Sequence, residues 1–419
     1  MKQVSITVDR NLEVQMESWF EEQEARLRSL PSTKRYLYEK IDWSARCLGI
    51  LGARGTGKTT LMLQHLLSAY QGAGRMLYVS IDHPRFQPLS LHDFGREFHA
   101  YGGRVLILDE VHKYPEWPGH IKTLYDSCPD LKIIFSGSSA LQMQDLDVDL
   151  SRRAVMYHLP GLSFREFLLF ELDKHFPALT LNDILQDHAA HARKVNTSIR
   201  PLEHFHNYLR YGYYPFFLEG KDTYPLKLAN VINHVLETDL PQSRRIDLRQ
   251  ISKLKKLLTF LALTPPAQVN IQKLSASTEI SRPKIYEYLA SLYQARLLNP
   301  VSKDKSGYKI LSKPDKLYLE NPNLAHTLTE QINTGVLRET FFVNQLLNAC
   351  THHPLESGQP LRSAERGDFL VNGELTFEIG GKSKSDQQIR DVKNAFIAAD
   401  EIEAGFASKI PLWLFGFLY

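Results

Sequence analysis

Residues Gly52-Ala53-Arg54-Gly55-Thr56-Gly57-Lys58-Thr59, followed by Thr60, carry the spacing G-x-x-x-x-G-K-[ST]. Glycines in such a loop let backbone N–H groups close around β- and γ-phosphates, and a following helix N-terminus adds partial positive charge. Lys58 contributes a full charge there, and Thr59 a hydroxyl suited to Mg²⁺. About fifty residues on, Val105-Leu106-Ile107-Leu108-Asp109-Glu110 ends an apolar run in two carboxylates. Asp109 is placed to hold Mg²⁺ through its water shell, and Glu110 to polarise an attacking water. Either segment alone recurs by chance. In this order they predict a site that binds a nucleoside triphosphate and hydrolyses it.

Such residues work only if strands and helices hold them. The apolar run Cys47–Leu51 precedes the loop and a helical pattern, Thr60–Leu67, follows it. Short β-branched runs predict further strands at Met76–Ile81, Val105–Asp109, Lys132–Ser136 and Val155–His158, with a helix near Leu91–Ala100. Strands alternating with helices predict an α/β domain whose mostly parallel sheet is covered on both faces. Residues Asp9–Tyr38 read as a charged helix leading into it. The fourth strand runs into Ser136-Gly137-Ser138-Ser139, whose hydroxyls could sit beside a γ-phosphate; a plain turn of small residues is the alternative. Arg153, after Ser151-Arg152, could stabilise charge on that phosphate, in cis or across a subunit boundary, or be a surface arginine.

A chain of 419 residues predicts two to four domains, and 43% apolar residues suffice for ordinary cores. The formal net charge of +3 implies no global attraction to nucleic acid or membrane, so such a partner must be met locally. Cys47, Cys128 and Cys350 are far apart and form no C-x-x-C pair, which argues against zinc and a disulfide scaffold. No apolar stretch approaches the roughly twenty residues that cross a bilayer, and residues 1–20 contain no apolar signal core. These features predict a soluble, cytoplasmic protein with no membrane partner.

Gly52–Thr60, Leu106–Glu110, Phe135–Ser139 and Leu159-Pro160-Gly161-Leu162-Ser163-Phe164-Arg165-Glu166-Phe167 together resemble the AAA-type (AAA_14-like) ATPase domain of a large prokaryotic family. In that family a C-terminal DUF4143 region follows, and Tyr208–Pro215 and Lys313–Tyr318 look like its segments. The resemblance implies ATP and Mg²⁺ as cofactors and four parts. A P-loop AAA+-like domain would span residues 1–160, a helical region 161–245, a winged helix 246–320 and a PD-(D/E)XK nuclease-like α/β (restriction-endonuclease-like) domain 321–419. Adenine rather than guanine follows from the same likeness, because no N-K-x-D signature appears downstream. Oligomer formation is compatible with it.

The later segments fit that order on their own terms. His188, His191, His204 and His206 are scattered through a helix-rich zone, where packing or solvation is the more ordinary use than a metal. Three helices are predicted at Ile251–Leu263, Ile271–Ser277 and Arg282–Leu298, the last capped by Ser281 with Pro283 in its first turn. Strands around Leu297–Val301 and Lys309–Leu311 would complete a wing. Arg282, Lys284 and Tyr286 would face base edges, and Lys303, Lys305 and Lys309 phosphates, if the unit contacts DNA; a packing or hinge module is the alternative, and a protein partner is equally compatible.

The final hundred residues predict a helix at Gly335–Ala349, strands at Phe369–Val371 and Leu375–Ile379 joined by the tight turn Asn372-Gly373, a helix at Asp386–Ala399 and a strand at Ile410–Phe415. Glu339, Asp368, Glu378 and Lys382 form a candidate second metal site of the nuclease type. The lysine expected two residues after Glu378 is replaced by Gly380, so Lys382 must swing back over a bulge, or the site keeps only its shape.

Overall fold

The computed structural model describes residues 10–69, 76–138, 150, 152–241, 250–264, 271–303, 314–350 and 361–419. They divide into two compact units. One comprises Met1–Gly52 and Gly57–Leu159; the other comprises Ala53–Thr56 and Pro160–Tyr419.

In the first unit, helix α1 (Arg10–Arg28) precedes β1 (Cys47–Gly52), α2 (Lys58–Ala69), β2 (Met76–Ser80), α3 (Leu91–Ala100), β3 (Val105–Asp109), α4 (Trp117–Ser127), β4 (Lys132–Ser138) and β5 (Val155–His158). The strands pair in the order β2-β3-β4-β1-β5, all parallel. Alternation along each strand feeds two cores. Leu106, Leu108, Ile133 and Phe135 face one side with Trp19, Phe94 and Leu124 from α1, α3 and α4. Ile107, Ile134, Leu48 and Ile50 face the other with Leu61, Met62 and Leu66 of α2. The predicted charged helix stops at Arg28, ten residues early. Pro31 follows soon after it, where a helix is readily broken.

One consequence of the strand order matters for chemistry. Because β4 lies between β1 and β3, its C-terminal end falls between the glycine loop and Asp109-Glu110. Ligands of open α/β sheets gather at that edge.

The second unit begins with α5 (Phe164–Leu172), α6 (Leu181–Asn196), α7 (Pro201–Tyr211) and α8 (Tyr224–His234). Ser163 opens α5 with a reciprocal capping box to Glu166. Three helices follow, α9 (Ile251–Leu263), α10 (Ile271–Thr278) and α11 (Arg282–Gln294), and then the antiparallel pair β6 (Leu298–Val301) and β7 (Lys316–Leu319). The expected wing strand at 309–311, with Lys305 and Lys309, lies outside the described residues, as does Ser139. Helices α12 (Pro322–Leu328) and α13 (Thr334–Cys350) lead to a second sheet of β8 (Leu361–Ser363), β9 (Phe369–Val371), β10 (Leu375–Gly380), β11 (Ala395–Ala399) and β12 (Lys409–Pro411), paired in that order. Asn372 and Gly373 both have positive φ (53° and 77°), the geometry that a two-residue hairpin turn requires.

Two expectations fail in this sheet. No helix spans 386–399; residues 386–394 are turns, and Ala395–Ala399 is a strand parallel to β10. Its apolar run Ala-Phe-Ile-Ala-Ala is buried by the neighbouring strands, a tertiary reward that overrides alanine's helical preference. The predicted strand 410–415 ends at Pro411, and Leu412–Phe417 turns into a 3₁₀ helix whose buried aromatic side chains pack on α5 and α13.

Candidate functional site

The loop after β1 begins with Gly52, the last residue of the strand. Gly55 and Gly57 have φ of 85° and 94°, a left-handed backbone that a side chain would strain. Arg54 and Thr60 are half-buried, and Thr56 is fully buried. The Thr56 hydroxyl donates to Ala53 O (2.9 Å), tightening the bend. Lys58 opens α2, and its buried ammonium donates to Gly52 O at 3.0 Å. A cation folded over its own loop, beside a helix N-terminus, makes an anion site.

Asp109 is the hub opposite. Its Oδ2 accepts from Thr59 Oγ1 at 2.6 Å and from the Tyr78 hydroxyl at 2.7 Å. Its Oδ1 accepts from Ser136 Oγ, which in turn accepts from the Glu110 backbone N–H at 3.0 Å. The carboxylate is nearly inaccessible to solvent, so these donors replace water around it. Burial first, and then the charge of Asp109, pushes the Tyr78 phenol well above its ordinary range, so it remains a donor. Arg26 of α1 reaches the same hydroxyl, Nη1 to O 3.3 Å.

Glu110 adopts left-handed backbone angles (φ 57°, ψ 40°), an arrangement that costs about 1–3 kcal/mol for a non-glycine residue. Its Oε2 lies 3.3 Å from Nε2 of buried His112, and His112 Nδ1 accepts from the Ser138 backbone N–H at 3.3 Å. The end of β4 is thus tied to both acids: Ser136 to Asp109 and Ser138 to the histidine beside Glu110.

The structure brings together Gly52, Arg54, Gly55, Thr56, Gly57, Lys58, Thr59 and Thr60 along one loop and helix start, and Thr59, Asp109, Glu110, Ser136 and Ser138 at one sheet edge. It adds Tyr78, His112 and Arg26, which the sequence reading missed. Tyr78 sits inside an otherwise apolar strand. In the sequence it is one phenol within Met76-Leu77-Tyr78-Val79; the pairing of β2 with β3, Ser80 opposite Asp109, is what brings it to the acid.

Arg153 is a correction. Leu48 pairs with Val155 and Leu51 with His158, so Arg153 precedes the start of β5 at the sheet edge opposite the glycine loop. Roughly 16 Å of strand separates the two ends. There Arg153 makes a two-pronged ion pair with Asp126, Nε and Nη2 each 2.9 Å from a carboxylate oxygen. It cannot reach a phosphate on its own loop.

Thr59 and Asp109 offer hard oxygen donors 2.6 Å apart, a pair that fits Mg²⁺. The acids of the second unit do not fit a metal in the same way. Among the described residues no three metal-ligating side chains converge. Lys384, not Lys382, pairs with Glu378. Lys382 is exposed, and its carbonyl accepts from Lys409 Nζ. Of the histidines, buried His188 bonds to Ala407 O at 3.0 Å and His204 lies 3.5 Å from Glu171.

Two families match the chain. Residues 44–168 match the AAA domain AAA_14, and residues 202–334 match a domain of unknown function, DUF8612. Residues 44–168 are thus similar to a nucleotide-binding, ATPase-type domain. DUF8612 stands where the sequence reading expected DUF4143. No curated protein matches the chain. Solved structures with partial likeness include AMPPCP-bound DnaA from Aquifex aeolicus, at 12% identity over 69% of this chain and 90% of that one, TM-score 0.24. A katanin structure matches at 14% identity over 34% and 52%, TM-score 0.23, and Pif1 helicase from Candida albicans at 13% over 41% and 48%, TM-score 0.25. The chain spans about half the length of the katanin and Pif1 chains. TM-scores this low support no transfer of function. Among the described residues no helix is long and apolar enough to cross a membrane.

Proposed function

We propose that the AAA domain hydrolyses ATP with Mg²⁺ and uses the change of phosphate state to move a partner-binding unit. The observation that carries this reading is the Thr59–Asp109–Ser136 cluster, which puts a P-loop hydroxyl, a buried carboxylate and a hydroxyl from the end of β4 on one point. Thr59 and Asp109 would hold the ion; when bound, it would neutralise charge on the phosphates. Lys58 and the loop amides bind and orient the triphosphate. Glu110, one residue beyond the buried hub and half-exposed, accepts a proton from the attacking water. His112, within ion-pair distance, holds that carboxylate in place, and Ser136 and Ser138 register phosphate occupancy.

Lys58→Ala should abolish nucleotide binding, and Glu110→Gln should keep binding while losing turnover, each measured by calorimetry and phosphate release. Parental turnover in the Gln variant would refute Glu110 as the proton acceptor.

DNA is the partner most compatible with the second unit's three helices and β6–β7 hairpin. Arg282 and Lys284 are exposed and Tyr286 half-buried at the start of α11. Turnover screened against single-stranded DNA, duplex DNA and RNA decides between this motor reading and a slow nucleotide-gated switch. The strained, histidine-held Glu110 favours the switch as the second reading, and indifference to every nucleic acid would support it.

A further inference from the structure

The acids of the candidate second metal site are already paired with amines of the chain itself. Glu339 of α13 and Asp368, just before β9, each present an oxygen 3.3 Å from the ammonium of Lys316, the first residue of β7. That amine is mostly buried and lies over the Phe369 ring, the nitrogen 4.9 Å from the centroid. Further donors reach the same two acids. Glu339 Oε2 accepts from the Tyr318 hydroxyl at 2.5 Å, and Asp368 Oδ2 from the Ile379 N–H at 2.8 Å. On the neighbouring strand, Glu378 is ion-paired with Lys384 through Oε1, which leaves buried Oε2 without a hydrogen-bond partner.

Gly380 explains why Lys384 can be there. A Cβ at that position would come 2.7 Å from the Lys384 stem, so the missing side chain is the space through which the lysine folds back. The turn is closed by Lys384 N–H to Gly381 O at 3.0 Å and braced by Lys409 Nζ on Lys384 O at 3.1 Å. Three carboxylates therefore face two fixed ammonium groups.

A divalent cation bridging Glu339 and Asp368 would need the place the Lys316 nitrogen holds, and like charges this close exclude each other. We propose that Lys316 is a built-in counter-ion in the metal position, so that the acidic cluster takes no divalent cation and the unit is a nuclease-like fold without a metal centre. Lys316 arrives from the strand of the β6–β7 hairpin, so the same contact fastens that hairpin to the second sheet. This inference is independent of the ATPase reading.

Removing the amine should uncover a metal site. Nucleotide-free protein titrated with Mn²⁺, followed by calorimetry and electron paramagnetic resonance, should show identical binding for the parent and for Asp368→Asn. Lys316→Met should gain one Mn²⁺ site, at least tenfold tighter than any site of the parent, and Lys316→Met/Asp368→Asn should lose it. Lys316→Arg, which keeps the charge, should behave as the parent. A parental Mn²⁺ site that Asp368→Asn abolishes would overturn the proposal, as would a folded Lys316→Met that gains none. If Lys316→Met does not fold, the comparison of parent with Asp368→Asn still decides.

Discussion

Asp109 accepts from three hydroxyls on three elements, Thr59 and Tyr78 at Oδ2 and Ser136 at Oδ1, so both oxygens of the carboxylate are held. Tyr78 is the one that no phosphate-binding pattern contains. It positions Asp109 rather than touching substrate, and it carries the contact from Arg26 of α1. Tyr78→Phe removes two hydrogen bonds, to Asp109 and from Arg26, costing about 1–3 kcal/mol of stability. It should raise the Mg²⁺ concentration for half-maximal ATP turnover several-fold while nucleotide affinity without Mg²⁺ stays unchanged. An unaltered Mg²⁺ curve would show that the phenol is only filler. The glycine turn, the helix start at Lys58-Thr59 and the strand ending in Asp109 were legible because glycine spacing and apolar runs are local signals. Tyr78 and His112 were not, since Tyr78 meets Asp109 only through strand pairing and no spacing pattern marks His112, two residues after Glu110.

At the scale of elements, segments that look like motifs can be structural. Tyr208, Tyr213 and Tyr214 were read as part of a family-like stretch. In the structure they join a buried polar lattice with Glu320, Asn321, Asn323 and Asn344. The Asn323 side chain accepts from Tyr213 N–H (2.8 Å) and the Tyr224 hydroxyl, and donates to Tyr208 O and Leu209 O (2.9 and 2.8 Å). It ties the C-terminus of α7 and α8 to α12. Asn323→Leu removes a partner from four buried polar groups, of which Tyr208 O keeps its bond from Gly212 N–H at 2.8 Å, and should destabilise the second unit by about 3 kcal/mol or more, read from urea unfolding. A loss under 1 kcal/mol would mean that water replaces the amide. Strands flanked by turns were read well, as at β3, β5 and β9. The stretch 386–399 was not, because apolar runs of that length serve a strand or a helix equally until a partner strand is present.

For the molecule as a whole, two histidines set an acid limit. His65, stacked on Trp43 in the first unit, is held down to about 4 by burial, then by Lys132 and Lys34. His326 in the second unit is likewise lowered to about 4 by burial and then by Arg210. Unfolded, each imidazole takes its proton near 6.5. Between 6.5 and 4 the unfolded chain therefore binds more protons, so the stability that is fully present above 6.5 falls as pH drops through that window. Allowing for solvent screening at partly exposed rings, the loss is roughly 1–2 kcal/mol per histidine. Together the two should make unfolding free energies at pH 7 and pH 5 differ by roughly 2–4 kcal/mol, and His65→Gln/His326→Gln should flatten the difference. An unchanged slope in the double variant would assign the acid sensitivity to other groups.

The sequence by itself determined the glycine turn at Gly52–Gly57, the helix start at Lys58-Thr59 and the strand that ends in Asp109, because backbone conformation and charge there are local properties that residue type fixes. It also determined the parallel sheet, through apolar periodicity. Only the tertiary structure decided which groups surround Asp109 and Glu110, that Arg153 lies at the opposite edge, and that Lys316 and Lys384 rather than Lys382 answer the second acidic cluster. Those outcomes depend on strand order and on a glycine's missing side chain, and such distances arise only when remote segments pack.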